Sequence, residues 1–177
     1  MDQLPILQVV IPLIAAPVCV LIRNASLVRI FSALTAWVSL GISLTLLDQV
    51  QSQGVIRYAL GGWLPPLGIE YRIDLLNAYV LVIVSMIASV VLLFPLPDNA
   101  LRIPRKRHYL FYTSFLLLIS GLLGITITGD LFNIFVFLEI SSLASYTLIS
   151  LGRTRQALRA AFSYLIMGTI GATFILI

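Results

Sequence analysis

Glu139 is the acidic residue of this sequence whose position most clearly suggests chemistry. It lies nine positions after Asp130, close to the middle of a long apolar run, and no other acidic residue lies mid-run. A carboxylate placed there costs about 3 kcal/mol on insertion scales, and such residues usually face a bundle interior or a water path. Desolvation raises the pKa of a carboxylic acid and a nearby cation lowers it, so a change in surroundings moves its proton. We therefore predict a proton relay at Glu139; the alternative is a neutral acid that joins two helices by hydrogen bonds.

Four further polar residues are candidates for a proton path or for a structural role. Ser142 and Tyr146 lie three and seven positions after Glu139 and share its helix face, where they would hold a water chain or admit another helix. Asp130 has the position of a helix N-cap, with the mouth of an ion path as the alternative. His108 is the single histidine, and an imidazole titrates near neutral pH, which suits proton entry. The basic residues beside it favour a plain interfacial residue.

The composition of the chain indicates which solvent surrounds these residues. Of 177 residues, 60% are hydrophobic and 10% are charged, against roughly 45–50% and 25% in soluble domains. Charges that arrive in clusters between long uncharged runs cannot cover a water-soluble core. The net charge of +4 does not indicate nucleic-acid binding, because the basic residues do not form one soluble face. The sequence also contains no metal, nucleotide or redox-cofactor motif, so we expect no cofactor and no metal.

Six runs have the length of about 20 residues that a helix needs to cross a hydrocarbon core of roughly 30 Å. They comprise residues 6–22, 28–47, 74–95, 109–128, 131–151 and 156–177. The fold class is therefore an all-α integral membrane protein with six transmembrane helices. The connection 48–73 is the one long loop, in which 69–73 alternates apolar and charged residues and 55–60 is a suitable partner strand. We predict a small external β-hairpin there, with Trp63 near the lipid headgroups.

The basic residues also predict the orientation of the helices. Nine of the 11 lie at the odd-numbered connections: Arg23, Arg29, Arg102, Arg105, Lys106, Arg107, Arg153, Arg155 and Arg159. Since cytoplasmic loops carry the excess of Lys and Arg, those connections are expected in the cytoplasm and the N-terminus outside. The expected location is the bacterial plasma membrane, crossed several times.

One stretch of the sequence resembles a known family. Residues 129–139, from Gly129-Asp130 to Glu139, resemble the signature around the fifth helix of the antiporter-like membrane subunits shared by respiratory complex I and the Mrp multisubunit Na+/H+ antiporters. The external segment 61–78 and the stretch 108–112 look most like the D-type subunit of the Mrp group. The resemblance extends over essentially the whole chain from the second connection onward.

The resemblance implies a fold and a mechanism. It implies a bundle of about fourteen helices with two inverted five-helix repeats, of which 1–108 would be the leading segment and 109–177 the first three helices of the first repeat. It implies that Glu139 is the family's essential glutamate, which works against a lysine on the seventh helix. This chain ends at Ile177 and its only lysine is Lys106 in a loop. We therefore expect a fragment, a truncated reading frame or one piece of a split subunit.

Three functions follow as hypotheses. The first is a proton-translocating subunit of a Na+/H+ antiporter, a transporter rather than an enzyme, whose partners are further membrane subunits, lipid, protons and Na+. The second is a proton-pumping subunit of a complex I-like oxidoreductase or a membrane-bound hydrogenase. The third is a purely structural piece of such a complex. The chain itself does not separate them, because redox centres would lie in partner subunits.

Overall fold

Six membrane-length helices and one hairpin make up the structure. The computed structural model describes residues 3–22, 24–63, 68–94, 103, 107–152 and 154–177. All six helices are long and apolar enough to cross a membrane. They are α1 (Leu4–Ile22), α2 (Ala25–Gln53), α3 (Leu75–Leu93), α4 (His108–Ile127), α5 (Leu131–Ser150) and α6 (Arg155–Leu176), and the strands β1 (Ile56–Ala59) and β2 (Glu70–Ile73) lie between α2 and α3. The predicted fold class is confirmed.

The helices begin and end close to the predicted positions, with α2 as the exception. The sequence places its end at residue 47, where polar residues begin, but the helix continues to Gln53. Exposed polar turns are compatible with a helix outside the hydrocarbon core, so the onset of polarity does not end it. The chain turns at Gly54, whose N–H bonds to the Val50 carbonyl and whose φ of 83° is a left-handed conformation that favours glycine.

The hairpin pairs β1 and β2 antiparallel. Ile56 faces Ile73 and Tyr58 faces Tyr71, while Arg57 and Arg72 form the exposed pair between them. Tyr71 and Ile73 are buried, so the alternation predicted for 69–73 turns its apolar positions towards the helices. Trp63 is 66% exposed beside the sheet. Leu64, Pro65 and Pro66, which lie between the two predicted strands, are outside the described residues.

Helix α4 lies at the centre of the bundle and α6 at its margin. Helix α4 packs against α1, α2, α3 and α5, and half of its most apolar stretch is buried. Helix α6 packs chiefly on α5, and only 11% of its most apolar stretch is buried. The last helix therefore has one covered face and a wide exposed surface.

Because successive helices run in opposite directions, several arginines lie at the helix ends opposite the hairpin. Arg29 lies in the second turn of α2, Arg107 directly precedes α4, and Arg155 and Arg159 lie in the first turns of α6. The other residues of the predicted basic side, Arg23, Arg102, Arg105, Lys106 and Arg153, lie outside the described residues. Which side faces the cytoplasm stays a prediction.

Candidate functional site

Helix α5, which carries Glu139, begins at a side-chain cap. The Asp130 carboxylate accepts a hydrogen bond from the Asn133 N–H at 2.8 Å. The Asn133 amide in turn donates to the Thr128 hydroxyl at 2.9 Å. The first contact satisfies a backbone amide that a helix start leaves without a partner, and it gives Asp130 the predicted capping geometry. A role of Asp130 at the mouth of an ion path stays a prediction.

The hairpin is attached to the same helix start. The Gly129 N–H donates to the Glu70 carbonyl at 2.9 Å, and Tyr71 forms an isolated antiparallel bridge with Thr128. Tyr71 is 4% exposed, and this burial raises the pKa of its hydroxyl, an effect that the Asn133 side chain partly opposes. Strand β2 therefore fixes the turn from which α5 departs.

One face of α5 packs closely on α4 through two glycines. A Cβ at Gly121 would lie 2.7 Å from the Ser141 Cβ and 2.8 Å from backbone atoms of Phe137 and Ser141. A Cβ at Gly124 would overlap the Phe137 ring. Because only glycine fits at both positions, the two helices approach closely here, as small residues permit in membranes. Ser141 is therefore part of the contact between α4 and α5.

The opposite face of α5 packs on α6 around Tyr146. Its ring meets Tyr164 edge to face, with centroids 5.1 Å apart, and its hydroxyl occupies the space that a Cβ at Gly168 would need. Tyr146 is 7% exposed and Ala172, one turn beyond Gly168, is 1% exposed. Tyr146 is therefore held by α6, and the sequence spacing of Gly168 and Ala172 marks the contacting face of that helix.

Glu139 lies on this α6 side. It is the ninth of the 20 residues of α5 and precedes Tyr146 by two turns, which puts both on one face. Its side chain is half-buried, as is that of Ser142. The hydroxyl bonds described nearby, Ser141 to Leu138 and Ser145 to Ser141, stay within α5 and do not include Glu139. Glu139 is therefore a mid-span carboxyl with an incompletely covered face, and its role as a proton relay stays a prediction.

The five predicted site residues lie at different depths. Asp130 is at the hairpin end of α5, about 14 Å along the helix from Glu139 at 1.5 Å per residue. Ser142 and Tyr146 lie beyond Glu139 towards the other side. His108 begins α4 on that other side, is 8% exposed, and its Nε2 is 3.2 Å from the Ile103 carbonyl. The structure thus groups Glu139, Ser142 and Tyr146 on one face and separates them from Asp130 and His108.

Sequence reasoning missed a second polar site, inside the first helices. Gln8 of α1 is fully buried, and its Nε2 donates to the Ser43 hydroxyl of α2 at 2.7 Å. The Ser85 hydroxyl of α3 donates to the same oxygen at 3.0 Å. The sequence signal for this polar site is a glutamine that precedes a proline by four residues within an apolar run. No cluster of three His, Cys, Asp or Glu side chains that could hold a metal occurs among the described residues.

Comparison with known proteins relates the chain to one group. Residues 128–177 match the family model described as NADH:quinone oxidoreductase/Mrp antiporter, transmembrane. The chain is 42% identical to the N-type subunit of NADH-quinone oxidoreductase from Desulforudis audaxviator, over 99% of this chain and 35% of that protein. It is 32% identical to the D-type subunit of the Na(+)/H(+) antiporter from Alkalihalophilus pseudofirmus, over 100% of this chain and 36% of that protein. The resemblance to the antiporter-like subunits is confirmed.

A solved structure agrees with this relation. A chain of the membrane-bound sulfane sulfur reductase, an archaeal respiratory membrane complex, superposes with a TM-score of 0.88 at 30% identity, over 98% of this chain and 36% of that one. The present chain thus spans about a third of the length of its relatives. It is related to antiporter-like membrane subunits of the complex I and Mrp group, and the family match contains Asp130, Glu139, Ser142 and Tyr146.

Proposed function

We propose that this chain forms part of a proton-translocating subunit of a multisubunit Na+/H+ antiporter, with Glu139 as the proton relay. The observation that supports this most directly is the half-buried carboxyl in the middle of α5, on the face turned towards α6. In the family that the sequence resembles, this acid works against a lysine on a later helix. Release of the proton when a cation approaches and uptake when it leaves would follow from elementary electrostatics.

The arrangement around Glu139 is suited to a relay. The α4 side of α5 is closed by the glycine contacts at Gly121 and Gly124, which leaves the α6 side as the route to the carboxyl. Ser142 and Tyr146 continue along that side. Residues 109–177 would be the first three helices of a repeat. Within these helices, Ser142 and Tyr146 would line one half of a proton path. The proposed setting is a plasma-membrane complex with further subunits, the N-terminus outside.

The test compares Glu139→Gln with Glu139→Asp and Glu70→Gln in the complete subunit, assembled in its complex in inverted membrane vesicles. We expect Glu139→Gln to lower Na+-dependent proton movement, read from a pH-sensitive dye, by about a hundredfold, the lower end of acid–base contributions. Glu139→Asp should keep part of the activity. Glu70→Gln makes the same chemical change on the hairpin, outside the spans, and should retain it. Undiminished exchange in Glu139→Gln would refute the relay.

A second candidate is a proton-pumping subunit of a complex I-like oxidoreductase. The 42% identity to the N-type subunit of a quinone oxidoreductase favours it. The same vesicles separate the two proposals: acidification driven by NADH and quinone, without added Na+, would identify the redox-driven assembly. Genes for flavin or iron–sulfur subunits beside this one would support that outcome.

A further inference from the structure

Two buried polar atoms between α1 and α2 have no hydrogen-bond partner among the residues that the structure describes. They are the Gln8 side-chain oxygen and the Ser39 hydroxyl, on residues that are 0% and 1% exposed. The Gln8 amide uses its nitrogen on Ser43, and turning the amide over would leave the nitrogen without a partner instead. In a membrane interior an unpaired polar group costs several kcal/mol, because no bulk water reaches it. Some further group must satisfy these atoms.

The register of the two helices brings both atoms to one place. Gln8 contacts Ser43 and, further along α1, the Cys19 sulfur lies 3.5 Å from the Ser32 hydroxyl. The two helices are therefore antiparallel, and each residue forward along α1 corresponds to one residue backward along α2. This register sets Pro12 level with Ser39. Ser39 lies four residues before Ser43 and seven after Ser32, hence on the face of α2 that meets α1.

Pro12 leaves a second acceptor free at the same level, the backbone carbonyl of Gln8. It is buried inside α1 and has no N–H, so the backbone carbonyl of Gln8 lacks the donor that a helix normally provides four residues on. The Ser43 hydroxyl already donates to the Ser39 carbonyl at 2.9 Å, which places Ser39 within one helical turn, about 5.4 Å, of the Gln8 contact. Two acceptors and one hydroxyl donor thus lie within about one helical turn of one another along the contact between α1 and α2.

We infer that α1 and α2 bind an ordered water molecule at Gln8, Pro12 and Ser39. The water donates to the side-chain oxygen and to the backbone carbonyl of Gln8, and it accepts from the Ser39 hydroxyl. Three hydrogen bonds are what a buried water usually makes. This site is separate from Glu139 and does not depend on the proposed function.

The sign of a stability change tests the site. Ser39→Ala should lower the thermal midpoint of the purified, membrane-assembled protein, because the water loses one of its bonds; such a loss shifts the midpoint by about 2–4 °C in a chain of 150–250 residues and by less in a longer one. The matched control is Ser89→Ala: Ser89 is equally buried, and its hydroxyl donates at 2.8 Å to the Ser85 carbonyl of its own helix. If Ser39 carried no water, removing its orphan hydroxyl would leave the midpoint at or above that of the unmodified protein, which would overturn the proposal.

A direct observation completes the test. High-resolution electron cryomicroscopy of the purified, membrane-assembled protein should show density for a water within about 3.2 Å of both the Gln8 side-chain oxygen and the Ser39 hydroxyl. In Ser39→Ala that density should weaken or vanish. Maps that resolve other internal waters but show these two atoms bonded to protein groups would overturn the inference.

Discussion

Replacing Gly121 by alanine should separate α4 from α5, the helix that carries Glu139. A Cβ there would lie 2.7–2.8 Å from three atoms of α5, whereas ordinary contacts measure about 3.4–4 Å. Two of the three atoms belong to the backbone, so no rotamer change relieves the overlap and the helices must move apart by roughly 1 Å. Overpacking of this kind costs about 1–3 kcal/mol.

The matched control for this variant is Gly171→Ala. Gly171 also lies in a membrane helix, but a Cβ there meets nothing within 4 Å. Both substitutions gain the same helix propensity, about 1 kcal/mol, so the difference between them isolates the packing term. Thermal unfolding of the full subunit in detergent measures it, at about 2–4 °C for each kcal/mol in a chain of 150–250 residues and less in a longer one. Equal midpoints for the two variants would refute the close approach of α4 and α5.

Three further predictions concern the ends and the other face of α5. Asp130→Ala should lower the free energy of unfolding by about 1 kcal/mol while Asp130→Asn, which keeps a capping oxygen, should not, as unfolding titrations would measure. Because burial raises the pKa of Tyr71 above its usual 10, hairpin docking should be unaffected below pH 10 and weaken as the pH rises further. Protease sensitivity of the hairpin reports this, and Tyr71→Phe should abolish the pH dependence. Gly168→Ala should lower the thermal midpoint through overlap with the Tyr146 hydroxyl, and adding Tyr146→Phe should restore it.

Hydropathy predicted the six helices because each has to match the thickness of a bilayer. Alternation predicted the hairpin because Tyr71 and Ile73 face inward while Arg72 stays exposed. The same spacing rules predicted that Glu139, Ser142 and Tyr146 share a face. What the sequence could not reveal is which helices meet, since a period of 3.6 indicates a face and not its partner.

The missed contacts show this limit. Nothing in the pattern of α1 indicates that Gln8 bonds to Ser43, or that the Val9 carbonyl accepts from Ser120, 111 residues later. Likewise, the end of α2 was predicted from polarity, but a single glycine conformation at Gly54 determines it. Local signals fix where a helix lies in the chain, whereas long-range packing decides what its polar residues do.

The bond from Gln8 to Ser43 has a consequence for biosynthesis. Helix α1 leaves the ribosome before α2, so the buried Gln8 side chain waits for its partner Ser43. During that interval α1 carries a side-chain amide that lipid tails cannot satisfy. Nascent chains arrested before α2 has emerged should therefore keep α1 against the insertion machinery or near the water interface, and release it into the bilayer only once α2 has been made.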